Sequence, residues 1–229
     1  SDQMYVSDMR TLSDSEQFIL VYPQGTKLWG STHWNVGSWT TGSQANDLDF
    51  IDALTDQLAK NYNIDEERIY ACGYSNGGFF SQELACQLTN KIAAIATVAA
   101  NMSSQTVNNC DPSHPVPVIT ISGTMDNVVQ YDGSRPEGTI SHKNTLDYWI
   151  TFNNMAAEPI ISDLQDINIL DGSSVTLYQY LNGDNNVEIE HYKIVDGGHD
   201  WPGTFGNMDI DANTVIWNFV SQFDINGKR

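Results

Sequence analysis

The sequence predicts an α/β domain, with a mostly parallel sheet covered by helices on both faces. Two observations predict it. Apolar blocks with strand-like and helix-like periods alternate along the chain. Several of the strand-like blocks are also continuously apolar, as strands buried on both faces are. No internal repeat or low-complexity tract breaks this pattern, so residues 1–229 read as one domain.

Taken in order, Met4, Val6, Met9 and Leu12 suggest a short helix, and Phe18-Ile19-Leu20-Val21-Tyr22 reads as a buried strand. Residues 23–45 are rich in Gly, Ser, Thr and Trp without a period, too long for a mere connection, and read as a site-forming loop. A helix over 47–62 places Leu48, Ile51, Leu54, Thr55 and Leu58 on one face. A strand at 69–72, a helix at 77–88 and an apolar strand at 92–99 follow. The next strand spans 116–121, with Pro115 and Pro117 near its start, where a missing N–H costs least. A helix over 141–152, strands at 175–178 and 187–195, and a closing helix over 211–223 complete the pattern.

Composition narrows the function. Apolar residues at 40% and aromatics at 10% exclude disorder. Twenty-nine acidic against ten basic residues give a net charge of −19, which repels phosphate backbones and anionic lipid, so nucleic-acid binding is excluded. No apolar run is long enough to insert across a bilayer. What remains is an acidic protein acting on something neutral or small. The chain begins Ser1-Asp2-Gln3-Met4 and ends soon after an apolar stretch, so it is expected to be part of a longer one. Cys72, Cys86 and Cys110 show no metal-binding spacing; one disulfide plus a free thiol and three buried thiols both fit.

The sharpest motif is Gly73-Tyr74-Ser75-Asn76-Gly77-Gly78, between a predicted strand and a predicted helix. This is the context of a G-x-S-x-G nucleophile elbow: a serine on a tight turn whose neighbours must lack side chains. The following helix N-terminus aims N–H groups at charge forming beside Ser75, with the Asn76 N–H as an oxyanion donor. A base and an acid should follow in chain order. His33 precedes Ser75, His114 lies before a strand, and His142 and His191 fall within a helix and a strand. His199 sits in a glycine-rich loop directly after a strand, where a catalytic base projects. Asp126 lies just past the end of another strand and is the favoured acid, with Asp132 the runner-up and Asp111 on the wrong side of the strand. Trp29, Trp34 and Trp39 on the long loop, together with His33 and Trp201, are the expected pocket lining, whose flat indoles suit an aromatic acyl group or a sugar.

Three runs carry a family resemblance: 73–78, Ser122-Gly123-Thr124-Met125-Asp126, and Gly197-Gly198-His199-Asp200-Trp201-Pro202-Gly203. Tyr22-Pro23-Gln24-Gly25-Thr26 and Phe50-Ile51-Asp52-Ala53-Leu54 support them. The chain resembles the secreted polyhydroxybutyrate depolymerase-like esterases, which include feruloyl esterases related to carbohydrate esterase family 1. The resemblance runs from Met4 to Phe223. It implies an α/β-hydrolase fold, Ser75, His199 and Asp126 as nucleophile, base and acid, a Cys86–Cys110 disulfide with Cys72 buried, and an extracellular or periplasmic location. It also implies that the first N-terminal strands, and with them the second oxyanion donor, lie upstream of this chain. Met155 and Leu181 stand where many relatives pair cysteines, and Asp200 stands where relatives often carry threonine.

The expected activity is hydrolysis of a small or polymer-linked carboxylic ester through an acyl-enzyme, without metal or organic cofactor. Plant hydroxycinnamate esters are favoured over hydroxybutyrate polymers and acetylated xylan. A serine peptidase and a non-catalytic carbohydrate-binding module are the more remote readings.

Overall fold

Continuous apolar blocks become strands where neighbours supply backbone partners. The computed structural model describes residues 3–229. Six strands form one sheet: β1 (Ile69–Tyr74), β2 (Ile92–Val98), β3 (Val118–Gly123), β4 (Ile160–Asp163), β5 (Ser174–Tyr180) and β6 (Ile189–Val195). Their spatial order is β1-β2-β3-β6-β5-β4. The first four in that order run parallel, and β5 and β4 extend the sheet antiparallel. Every residue of β2 and β3 is buried. Ile92 and Ile95 enter the core on one face, while Ala94, Ala96 and Val98 enter the core on the other.

Helices cover both faces, as the apolar strands require. They are α1 (Asp47–Asn61), α2 (Asn76–Gln87), α3 (Ser104–Asn109), α4 (His142–Phe152) and α5 (Ala212–Val220). Phe79, Phe80 and Leu84 of α2 and Leu146 and Trp149 of α4 fill one face. Ile216, Phe219 and Val220 of α5 fill the other. Asn46, Ser103, Ser141 and Asp211 cap α1, α3, α4 and α5 with side-chain oxygens, which explains why these helices start where they do.

Four expectations need correction. The first short helix is two, Gln3–Val6 and Arg10–Glu16. The run Phe18–Tyr22 forms no strand. Its burial alternates, with Ile19 and Val21 exposed, but among the described residues no strand completes a backbone ladder with it. It packs through side chains instead: Phe18 stacks on Trp217 of α5 at 4.0 Å, and the Tyr22 hydroxyl accepts from the Met9 N–H at 3.1 Å. β1 consequently stays at the sheet edge. Strand β4 was not expected, because all four of its residues are exposed and carry no burial pattern. Cys72 is exposed rather than buried, since on edge strand β1 Ala71 and Gly73 take the buried positions on either side of it.

Cys86 and Cys110 form a disulfide that ties the end of α2 to the end of α3, 24 residues apart. Closing a loop of that size stabilises a fold by about 3 kcal/mol in the chain-entropy account. The Cys86→Ser/Cys110→Ser variant is therefore expected to lose about that much in urea denaturation, and an unchanged midpoint would refute the assignment.

Candidate active site

Strand β1 delivers Ser75 into a turn that only small neighbours allow. Ser75 adopts φ 51° and ψ −120°, a conformation costly for any residue with a Cβ. A Cβ on Gly73 would lie 2.1 Å from the Gly77 carbonyl, and one on Gly78 would lie 2.5 Å from the Ala100 Cβ. Gly73 and Gly78 are thus required by close approach of strand, turn and helix, whereas a Cβ on Gly77 would meet nothing nearer than the Trp34 indole nitrogen at 3.8 Å. The Ser75 N–H donates to the Val98 carbonyl at 2.9 Å, fixing the turn to β2. Ser75 is the N-cap of α2. The Asn76 N–H opens that helix without a partner among the described residues, as first-turn amides do. The Ser75 hydroxyl likewise makes no hydrogen bond among the described residues.

Asp126 and His199 come together across 73 residues of sequence. His199 Nδ1 lies 2.6 Å from Asp126 Oδ2. The Asp126 side chain is 1% exposed and that of His199 16%. Asp126 Oδ1 accepts the N–H groups of Val128 and Val129, both at 2.8 Å, so both carboxylate oxygens are engaged. Tyr74, next to Ser75, donates its hydroxyl to the His199 carbonyl at 2.7 Å and sets its ring 4.9 Å from the imidazole. The elbow and the histidine loop therefore share one rim at the C-terminal ends of the strands. Asp132 instead closes an exposed turn, accepting from the Ser134 hydroxyl at 2.6 Å and from the Ser134 N–H at 2.9 Å. Those Ser134 hydrogen bonds hold its carboxyl below the ordinary range.

The tryptophans divide. Trp29 is 80% exposed at the tip of a hairpin pairing Lys27–Leu28 with Ser31–Thr32. Positive φ at Trp29 and Gly30, 49° and 88°, suits a two-residue turn of the kind that matches strand twist. Trp34 stacks on Phe80 at 4.9 Å and lines a cleft with Gly25, Thr32, His33, Asn76 and Gly77. The Asn76 side chain clamps it: Oδ1 accepts the Trp34 N–H at 2.7 Å, and Nδ2 donates to the Trp34 carbonyl at 3.1 Å. Trp39 turns edge-on to Phe79 at 4.7 Å. Trp201 is 0% exposed, and its Nε1–H donates to Asn213 Oδ1 at 3.1 Å. It packs among the residues of α5 and presents no face to a substrate, which corrects its expected place in the pocket lining. Among the described residues, no cluster of three or more His, Cys, Asp or Glu is placed to hold a metal ion.

His142 and His191, set aside in sequence as members of a helix and a strand, are buried side by side with ring centroids 4.2 Å apart. No local pattern marks them; the β3–β6 ladder sets His191 beside Thr120, and helix α4 brings His142 to the same threonine hydroxyl at 3.3 Å. Burial pushes the His142 pKa down to about 3 and that of His191 well below its ordinary value. In the unfolded chain both take protons near pH 6.5, while the folded pair stays neutral. Stability contributed by this pair is therefore complete above about pH 6.5. It falls with pH below that, by roughly 1.4 kcal/mol per unit for each histidine. Urea midpoints between pH 7 and 4 are expected to drop more steeply for the parent than for a His142→Gln/His191→Gln variant; equal slopes would refute this.

No protein-family model matches the chain, but curated proteins do. It is 31% identical over 217 residues to a bifunctional acetylxylan esterase/xylanase of Neocallimastix patriciarum, a match covering 95% of this chain and 28% of that protein. It is 30% identical over 202 residues to feruloyl esterase B of Piromyces equi, covering 84% of this chain and 34% of that protein. The chain thus spans about a third or less of the length of these two relatives. A more distant match, at 23% identity over 95% of the chain, is poly(3-hydroxyalkanoate) depolymerase C of Paucimonas lemoignei. The solved acetyl xylan esterase from Aspergillus awamori shares the fold at a TM-score of 0.61 and 14% identity, over 94% of this chain and 82% of that one. Sequence and fold together make this chain a homologue of the feruloyl and acetylxylan esterases and of a polyhydroxyalkanoate depolymerase, built on the α/β-hydrolase fold.

Proposed function

We propose that the chain is the catalytic domain of a carboxylic ester hydrolase, with Ser75 as nucleophile, His199 as base and Asp126 as the acid that orients it. The observation that carries this reading is the 2.6 Å contact between His199 Nδ1 and a buried Asp126, on the same rim as a strained Ser75. Asp126 accepts the Nδ1–H, so the imidazole presents a bare Nε2 as base. His199 takes the Ser75 proton as the hydroxyl attacks the ester carbonyl. The Asn76 N–H, at the positive end of α2, stabilises the oxyanion. The alcohol leaves with the proton from His199, and water then releases the acid by the same steps in reverse.

The acyl or sugar part of the substrate is assigned to the cleft beside Asn76, with Trp34 in its wall and Trp29 at the exposed hairpin tip. Feruloyl and acetyl esters of plant polysaccharide are the proposed substrates, by analogy with the relatives matched. A disulfide favours an oxidising compartment, which supports secretion. Among the described residues, no helix is long and apolar enough to cross a membrane. Methyl ferulate, acetylated xylan and 3-hydroxybutyrate oligomers, each offered to the parent and to its Ser75→Ala variant, test the reading. Turnover of one of them that disappears in the variant supports it and selects the acyl group; turnover that survives the substitution refutes the nucleophile.

A further inference from the structure

The buried histidines belong to a closed ring of hydrogen bonds. The Asn101 side-chain amide donates to the Gln130 carbonyl at 3.2 Å, so its Oδ1 faces His142 Nδ1 at 3.0 Å. Nδ1 of His142 therefore carries a proton, and its Nε2 is bare. His191 Nδ1 lies 3.1 Å from that nitrogen and 2.9 Å from Thr120 Oγ1, so it holds the donating proton. The remaining bare nitrogen, His191 Nε2, accepts from the Tyr131 hydroxyl at 2.7 Å. The path leaves residue 130 and returns at residue 131. A proton added to His142 Nε2 would set donor against donor at the His191 Nδ1–H, and one added to His191 Nε2 would force the Tyr131 hydroxyl to turn from donor to acceptor.

The ring closes on the segment that carries Asp126. Gly123 ends β3, the Asp126 carboxylate accepts from Val128 and Val129, and Gln130 and Tyr131 are the ring's anchor points. The His142 backbone N–H adds a bond to the Tyr131 carbonyl at 2.9 Å. Tyr131 also stacks on His142 at 4.8 Å, and Tyr178 of β5 stacks on His191 at 5.8 Å. Tyr131 and Tyr178 are the titratable groups facing the pair, and Lys193 on β6 is the charge acting on it. Among the described residues, no carboxylate is hydrogen-bonded to either imidazole.

We infer that His142 and His191 are positioning residues, whose ring through Tyr131 holds the 126–131 segment so that Asp126 stays against His199. This rests on the reading of Asp126 and His199 as acid and base. A misplacement near 1 Å at a catalytic group costs on the order of a hundredfold in rate, so a loosened anchor should be visible in kcat while binding is untouched.

The test uses Tyr131→Phe, which deletes one oxygen from a half-buried side chain, and His191→Gln, which opens the ring at two links. Two readouts are needed. One is kcat and KM for 4-nitrophenyl acetate, and the other is the imidazole ¹⁵N shifts of His199, which report its tautomer. The expected result, in folded variants with near-parental thermal melts, is kcat lower by about ten- to a hundredfold, unchanged KM, and loss of the single Nδ1–H tautomer. A folded Tyr131→Phe variant with parental kcat, or with lowered kcat but parental His199 shifts, overturns the inference. If the parent shows no ester turnover that depends on Ser75, the catalytic reading fails by itself. The ¹⁵N shifts then decide whether the ring holds Asp126 against His199.

Discussion

Ser75→Ala is expected to lower kcat/KM for an ester substrate on the order of 10⁶-fold, since removing the nucleophile disables the whole constellation. Ser75→Gly should be equally inactive, and the comparison between the two carries further information. At φ 51° and ψ −120°, alanine keeps the Cβ that makes this conformation costly, whereas glycine adopts it freely. Relief of strain is worth about 1–3 kcal/mol, and glycine's greater unfolded-state freedom returns somewhat less than 1 kcal/mol. The Gly variant should therefore melt above the Ala variant by several degrees, at about 2–4 °C per kcal/mol for a chain of this size. Equal inactivity with that order of melting temperatures, read by calorimetry beside the esterase assay, is the signature of a nucleophile held in a strained turn. A Ser75→Ala variant with residual turnover within tenfold of the parent would remove Ser75 from the mechanism.

The second large effect is expected at Asp126. Asn at this position has nearly the same shape, and its carbonyl can still accept from the Val128 and Val129 N–H groups, so the loop should fold. What it cannot supply is a second acceptor for His199 Nδ1–H, 2.6 Å away. The amide would face the imidazole with N–H groups and favour the tautomer whose proton sits on Nε2, where it blocks the serine. A fall in kcat of roughly 10⁴-fold with KM little changed is expected. Asp132→Asn is the control. Its carboxylate serves only an exposed turn around Ser134, so parental kcat is expected. A large loss at Asp132 and none at Asp126 would exchange their roles.

Particular residues show what the chain discloses locally. β2 and β3 were legible because every position is apolar or small, a pattern that strands buried on both faces produce. The elbow was legible because glycines flank Ser75 at 73 and 77 between a strand and a helix, and at 73 backbone contact closer than a Cβ allows demands one. His199 and Asp126 were legible because both lie just beyond strand ends. Phe18–Tyr22 misled because an apolar run specifies burial, while a strand also needs a neighbour's backbone. Trp201 misled because its loop position suggests a rim, whereas its burial is decided by α5, contributed by a later part of the chain. The His142–His191 pair was hidden for the same reason: each residue looks ordinary in its own element, and they meet only where the β3–β6 register and helix α4 converge on Thr120.

The clamp between Asn76 and Trp34 has a consequence for how specificity can change. The fourth residue of a G-x-S-x-G motif is formally free, yet here its side chain grips the backbone of the 23–45 loop with two hydrogen bonds, while its own N–H opens α2 next to Ser75, the proposed nucleophile. The wall of the cleft and the proposed nucleophile are thus tied through a single residue. Grafting another loop to accept a new acyl group would have to bring a complementary backbone for position 76, or the turn that carries the serine would shift with it. On the proposed function, selectivity and rate would not be separately adjustable at that point.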